Sequence, residues 1–327
     1  MSTKIISMSP LNPDLLMSLL KGTGRPMPAD LAIINANRLD DAEIIELVKD
    51  AAIIIGDYTF NRKITRDIAM AARSVKLIQQ PSVGYQHINI EACSEAGIPV
   101  ANTAGANTIS VAEYTVMAGL CMQKKLMMAH RTTSAGEWRQ IDVGSGDLSG
   151  KIWGIIGMGR IGKAVAERLA PFGVQIKYYD IVKLSSDEEK KYRTSFCEME
   201  ELIAVSDIAS LHCPLTNLTK GMIGEKELSR MKATAVIINV ARGEVIDEPA
   251  LVRALEEKRI AGAVLDVFAE EPLGIKNPLL SLEPDVVILT PHIAGATRES
   301  QFRIMSMAIT NVISVLNGDK PAYLVNE

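Results

Sequence analysis

No block of like charge, no cysteine pair and no long apolar run occurs in this chain of 327 residues. Its 35 Lys and Arg are balanced by 39 Asp and Glu, giving a net charge of -4 with no basic cluster. That leaves no electrostatic footprint for nucleic acid and points to small soluble partners. The four cysteines, Cys93, Cys121, Cys197 and Cys213, are scattered without CxxC spacing. They indicate neither a disulfide framework nor a zinc site, so reduced, mostly buried thiols and no bound metal are expected. The opening "MSTKIISMSPLN" has one lysine and no secretory apolar core, and nothing downstream approaches twenty uninterrupted apolar residues. A cytoplasmic protein with no membrane partner is the expectation. Short repeats and low-complexity tracts are also missing, and the length favours two domains over one.

What is present is alternation. Short runs rich in Ile and Val ("LAIINA", "AAIIIG", "KLIQQ", "IPVANT", "IWGIIG", "QIKYYD", "IASLH", "AVIINV", "AGAVLDV", "DVVILTP") alternate with amphipathic stretches. This is the pattern of strands buried on both faces by crossover helices, and it predicts an α/β fold with parallel sheets. The segment from Thr108 to Ala129 is almost free of charge apart from Glu113, Lys124 and Lys125. A helix apolar on more than one face must be buried in a core or against another subunit, and its place between two sheet-forming blocks favours subunit contact. After Ala294 the strand pattern stops, and "TRESQFRIMSMAITNVISVLNG" has helical spacing, so this tail must pack on an existing sheet.

The stretch "GKIWGIIGMGRIG" breaks an apolar run into Gly157, Gly159 and Gly162 and resumes as a helix ending near Gly173. GxGxxG spacing alone is a weak signal, but a strand before it and a helix after it give it a mechanism. The first glycine makes the tight turn, the second lets backbone approach a pyrophosphate, and the third permits close helix–strand packing. The helix N-terminus offers free N–H groups to the phosphates. A second strand ends at Asp180, 18 residues beyond Gly162. An acid there hydrogen-bonds a ribose 2′-hydroxyl and repels a 2′-phosphate, which favours NAD over NADP, with Lys183 nearby working against that preference.

Only four histidines are available for chemistry: His87, His130, His212 and His292. His130 reads as a solvated helix end, His87 is undecided, and His212 stands at a strand end where a backbone role would suffice. His292 follows "VVILTP" and precedes "IAGA", placing an imidazole at a strand's carboxyl end beside small residues. "AVIINVARGEVID" runs an apolar strand into Arg242, and a guanidinium there needs an anion such as a substrate carboxylate. Asp266 ends another strand and Glu271 precedes Pro272. A cation, two acids and an imidazole thus converge on the carboxyl ends of strands in the half that carries the glycine turn.

In order and spacing, "LSGKIWGIIGMGRIG", "HCPLT", "INVARGEVID", "LDVFAEEP" and "TPHIAG" resemble the D-isomer-specific 2-hydroxyacid dehydrogenases over nearly the whole chain. The resemblance implies a Rossmann domain (102–296) inserted into a flavodoxin-like substrate domain (1–101 with 297–327), and a homodimer formed mainly through the nucleotide domain. It implies that Arg242 binds the substrate carboxylate, His292 is the acid/base, and Glu271 hydrogen-bonds the imidazole. Val83 and Gly84 match the turn whose N–H groups hold the carboxylate, and Tyr58 lies in the loop that shapes specificity. NAD contacts implied in the same way are Gly157, Gly159, Arg160, Ile161, Gly162, Asp180, His212, Cys213, Pro214, Thr219, Val240, Ala241, Asp266, Ala294 and Gly295, with Asp266 on the carboxamide. Gln86 and His87 replace the usual acid and Asn, and Tyr58, Phe60 and Tyr85 are large for their places. These rings, with no Lys or Arg nearer than Arg62 and Lys63, lead to the expectation of a small, unphosphorylated 2-oxo acid and its 2-hydroxy acid as substrates. The alternatives are an NAD(H)-sensing corepressor-like binder, or a same-fold dehydrogenase of phosphoglycerate, phosphite or formate. Formate dehydrogenases lack the Glu partner, and phosphite dehydrogenases carry a lysine where this chain has Val83.

Overall fold

A computed structural model describes residues 3–326. The chain divides into two compact units, one running to Asn107 and resuming at Arg298, the other Thr108–Thr297. In the first, five parallel strands, β1 (Lys4–Ser7), β2 (Ala32–Asn35), β3 (Ile53–Ile55), β4 (Leu77–Gln79) and β5 (Val100–Ala101), lie in the order β2-β1-β3-β4-β5. This is the flavodoxin-like arrangement. Side chains alternate across a strand, so Ile6, Ile54 and Ile78 enter one core while Ile5, Ile53, Ile55 and Leu77 enter the other. The helix Arg298–Leu316 closes the second core with Ile309, Val312 and Ile313. Its buried Asn311 donates Nδ2 to Gln79 Oε1 at 2.7 Å, which keeps a polar pair satisfied on β4.

The second unit holds seven parallel strands: β6 (Ile152–Ile156), β7 (Gln175–Tyr179), β8 (Thr194–Phe196), β9 (Ile208–Leu211), β10 (Val236–Asn239), β11 (Gly262–Leu265) and β12 (Val287–Leu289). Their order, β12-β11-β10-β9-β6-β7-β8, reverses direction beside β6, so the crevice between the carboxyl ends of β6 and β9 is the topological switch point where such sheets bind ligands. The ten strands expected from the apolar runs are all present. β1 and β8 are additional: the first has only two apolar residues, and the second is a three-residue edge strand rich in hydroxyls.

The nearly uncharged segment corrects its expectation twice. It is two helices, Thr108–Gln123 and Leu126–Ser134, because Lys125 adopts a left-handed conformation at φ 51°. Most of the first helix is core and not subunit surface: Val111, Ala112, Tyr114, Val116, Ala118 and Met122 pack inside the unit, and Gly119 lies against the ring of fully buried Trp153. Ile109 and Met117 alone among its large apolar residues stay exposed, at 47% and 48%.

Candidate active site

The glycine turn follows β6. Gly157 has φ 95°, and a Cβ there would meet Cys213 N at 2.7 Å, so no other residue fits. A Cβ on Gly162 would sit 2.2 Å from Gly157 O, which is the close packing that lets the helix Arg160–Leu169 start against the strand. Gly159 differs: space beyond its Cα is open within 4 Å, and it caps the helix without any side-chain acceptor. Open space above uncapped helix N–H groups fits a dinucleotide pyrophosphate. Arg160 is exposed and Ile161 half-buried on that first turn.

Asp180, just past β7, accepts Met158 N–H at 2.6 Å and Val182 N–H at 3.0 Å. It therefore braces the glycine turn in addition to whatever it offers a ribose. Lys183 lies over the Phe196 ring, 3.8 Å from its centroid, and so is held at the edge strand. His212, past β9, has Nε2 at 3.0 Å from Ser210 Oγ, which also accepts the Trp153 indole N–H at 2.9 Å. The other ring nitrogen, Nδ1, is enclosed and has no protein partner among the described residues. Burial lowers the imidazole to about 3, so the ring beside the switch point is neutral. Cys213 is a half-buried thiol that desolvation pushes up to about 11. Thr219 spends its hydroxyl on Pro214 O at 2.6 Å and thereby shapes the loop it shares with Pro214.

Arg242 follows β10 and Ala241. Fully buried Asn239 makes that turn, accepting Ala241 N–H and donating to Arg242 O. The guanidinium donates Nη1 to Ala241 O, and among the described residues no carboxylate stands within ion-pair distance of it. Burial lowers its pKa from the ordinary value, with Glu271 and Glu244 opposing from farther off. A half-buried guanidinium of this kind suits an anion. A Cβ at Gly243 would fall 1.8 Å from Phe268 C, so glycine there permits the Arg242 loop to lie against the backbone of the next loop. That next loop holds Glu271 by the Phe268 N–H at 3.0 Å. The other carboxylate oxygen, Oε2, meets His292 Nδ1 at 2.8 Å. Burial pushes the Glu271 carboxyl up, but His292, the Phe268 N–H and Arg242 together hold it below the ordinary range.

His292 sits at φ 57°, a left-handed conformation that a residue with a Cβ rarely adopts. Asp266 enforces it. The Asp266 carbonyl accepts His292 N–H at 2.9 Å, Oδ1 accepts Ile293 N–H at 2.8 Å, and Oδ2 accepts Ala294 N–H at 2.8 Å. The acid assigned by resemblance to the nicotinamide is thus also the scaffold of the histidine turn. Burial raises its pKa against those donors. Neither this brace nor the role of Asn239 was read from the sequence. A polar residue ending an apolar strand was the available signal.

In the first unit, the turn after β4 has its carbonyls pinned: Ser82 Oγ donates to Gly84 O at 2.8 Å and Asn102 Nδ2 to Val83 O at 2.8 Å. The Val83 and Gly84 N–H groups meet no protein acceptor among the described residues. Gln86 is exposed, whereas His87 is buried edge-on to Phe60 with centroids 4.8 Å apart, and neither ring nitrogen has a protein partner. Burial lowers its pKa, with Asp57 opposing. Tyr58 is 41% exposed.

A seat for a dinucleotide and a proton-transfer pair on the carboxyl edge of one sheet are what a nicotinamide-dependent oxidoreductase requires. Comparison with known proteins narrows the class. Residues 116–294 match the family model of the D-isomer specific 2-hydroxyacid dehydrogenase, NAD binding domain. A glyoxylate reductase of Thermofilum pendens is 42% identical over 269 residues, covering 81% of this chain and 79% of that one. A D-3-phosphoglycerate dehydrogenase of Methanocaldococcus jannaschii is 36% identical over 323 residues, 99% of this chain and 59% of that one. Among solved structures, a glyoxylate reductase from Paecilomyes thermophila superposes with a TM-score of 0.86 at 29% identity, covering 99% of this chain and 98% of that one. The chain belongs to the D-isomer specific 2-hydroxyacid dehydrogenases, and it interconverts a 2-oxo acid and its D-2-hydroxy acid with NAD.

Proposed function

We propose that the protein reduces a small, unphosphorylated 2-oxo acid, glyoxylate first among them, and that Arg242, Glu271 and His292 carry the reaction. When bound, a reduced nicotinamide would supply the hydride chemistry. Arg242 binds the carboxylate and stabilises charge developing on the C2 oxygen, for which the absence of an ion-pair partner among the described residues leaves it available. The protonated His292 ring delivers the proton to that oxygen from the nitrogen that Glu271 does not hold. The Glu271 carboxylate on Nδ1 stabilises the imidazolium, and general acid catalysis of this kind is worth about 10² to 10⁴-fold. Val83, Gly84 and Tyr58 are proposed substrate contacts of the first unit, and the residues 102–296 a nucleotide domain.

The observation that carries the substrate reading is the fate of Arg62. Its Nε donates to Asn37 O at 2.9 Å, Nη2 bonds Leu39 O, and Asp41 lies at 4.0 Å, so the cation beside the Tyr58 loop is spent on its own unit. A phosphate would need a basic cluster distinct from Arg242. The glyoxylate reductases among its relatives support the same reading. Competition between hydroxypyruvate and its phosphorylated form at equal concentration, with glyoxylate alongside, tests it. We expect kcat/KM to favour the unphosphorylated acids, and a clear preference for the phosphorylated one overturns the reading and turns attention to Lys63. We further propose a cytoplasmic homodimer. Exposed Trp138 and Ile141, at 83% and 86%, and the Ile109–Met117 strip supply apolar surface for a second copy.

A further inference from the structure

Tyr114 links the first long helix of the nucleotide-binding unit to the histidine turn. Tyr114 is 9% exposed, and its hydroxyl lies 2.5 Å from Thr290 Oγ1. Thr290 is the last residue before Pro291 and the turn, and its Oγ1 donates to Asp266 Oδ1 at 2.6 Å. An ionised carboxylate only accepts, so the threonine proton is committed to Asp266 and the Tyr114 O–H must be the donor to threonine. Burial pushes the phenol up to about 12, so it keeps that proton at any working pH. Two short bonds in series, ending on an anion, polarise one another. The Asp266 oxygen at the end of the series also receives Ile293 N–H, its second oxygen receives Ala294 N–H, and its carbonyl receives His292 N–H. Thr290 O accepts the same His292 N–H at 3.0 Å.

We propose that Tyr114 is a positioning residue for proton transfer: through Thr290 it fixes the Asp266 carboxylate, and with it the left-handed turn that presents His292 to Glu271. The ring of Tyr114 packs in the core of its unit whatever its hydroxyl does. Packing and relay are therefore separable by Tyr114→Phe, which removes one oxygen from a buried chain. One buried hydrogen bond lost from a positioning network lowers kcat by about fivefold. The inference rests on His292 being the acid/base.

A double-mutant cycle on kcat tests it, using Tyr114→Phe, Thr290→Val and both together, with Thr290→Ser as the variant that keeps the hydroxyl. If the relay operates, Tyr114→Phe costs about fivefold in the wild-type and Thr290→Ser backgrounds and nothing in the Thr290→Val background, where the connection is already cut. Equal cost in all three backgrounds, or no cost in any, overturns the inference. His292→Ala measured in parallel separates the two levels. Retention of kcat in that variant rejects the acid/base assignment itself, whereas its loss together with an additive cycle rejects only the role of Tyr114.

Discussion

Acid should weaken the nucleotide-binding unit through His212. Its imidazole is lowered to about 3 by burial at the end of β9, while the unfolded chain binds a proton near the ordinary pKa of about 6.5. Because the folded value is the lower one, the unfolded state takes up the proton first, and stability falls as pH drops below 6.5 until the folded value is reached. Each pH unit in that window costs about 1.4 kcal/mol, so moving from pH 7 to pH 5 costs about 2 kcal/mol from this one side chain. The assay is built into the fold. Trp153 is fully buried and donates its indole N–H to the same Ser210 oxygen that His212 meets, so its fluorescence reports on this core. The second tryptophan, Trp138, is exposed and is replaced by Phe to leave a single reporter. Urea unfolding at pH 7 and pH 5 is then compared between that background and the same background with His212→Gln, which keeps a partner for Ser210. The variant should lose about 2 kcal/mol less on acidification. Parallel losses in the two proteins would refute the argument, since every other titrating group, including buried His87, is common to both.

The remaining predictions concern the reaction. His292→Ala should remove most of kcat with NADH affinity little changed, whereas Arg242→Ala should damage both kcat and KM for the oxo acid; an Arg242→Ala enzyme with normal KM rejects the carboxylate role. Glu271→Gln keeps the acceptor for Phe268 N–H but removes the charge on His292 Nδ1. The imidazolium loses its anionic partner, so kcat for oxo-acid reduction should fall by about tenfold with KM for NADH little changed, and an undiminished kcat speaks against the pairing. Asp180→Ala should raise KM for NADH by about tenfold while NADPH is affected less. Because Asp180 also holds Met158 N–H, part of that rise comes from a loosened glycine turn, and an unchanged NADH to NADPH preference is the result that discards its role in cofactor choice.

Parallel strands buried on both faces announce themselves as apolar runs, which is why ten of twelve were legible from the residues alone. β8 was not, because an edge strand of Thr, Ser and Phe faces solvent on one side and needs no apolar run. The break at Lys125 was equally hidden: nothing in "CMQKKLMM" forbids a continuous helix, and a left-handed lysine is stabilised only by what surrounds it. Helix burial carried the same ambiguity. A nearly uncharged helix reads alike whether its partner is its own core or another chain, and Tyr114, Gly119 and Met122 show that here the core takes most of it.

Site chemistry was legible where a residue type conflicts with its local pattern, and illegible where two loops meet. Arg242, Glu271 and His292 each break an apolar context, so each could be singled out alone. Their assembly depends on a residue without a side chain. Gly243 lies so close to Phe268 and Ala269 that a single methyl would overlap the backbone of the neighbouring loop, yet in the sequence it reads as an ordinary turn glycine. The same is true of Arg62, whose cationic side chain looks free in "NRKIT" and is claimed by two carbonyl oxygens of the Asn37–Leu39 loop. A methyl at position 243 must push the Arg242 loop away from the loop whose Phe268 N–H orients Glu271. That separates the cation from the proton-transfer pair without touching any of the three side chains, and it makes close approach between loops, more than residue identity, the feature on which this site depends.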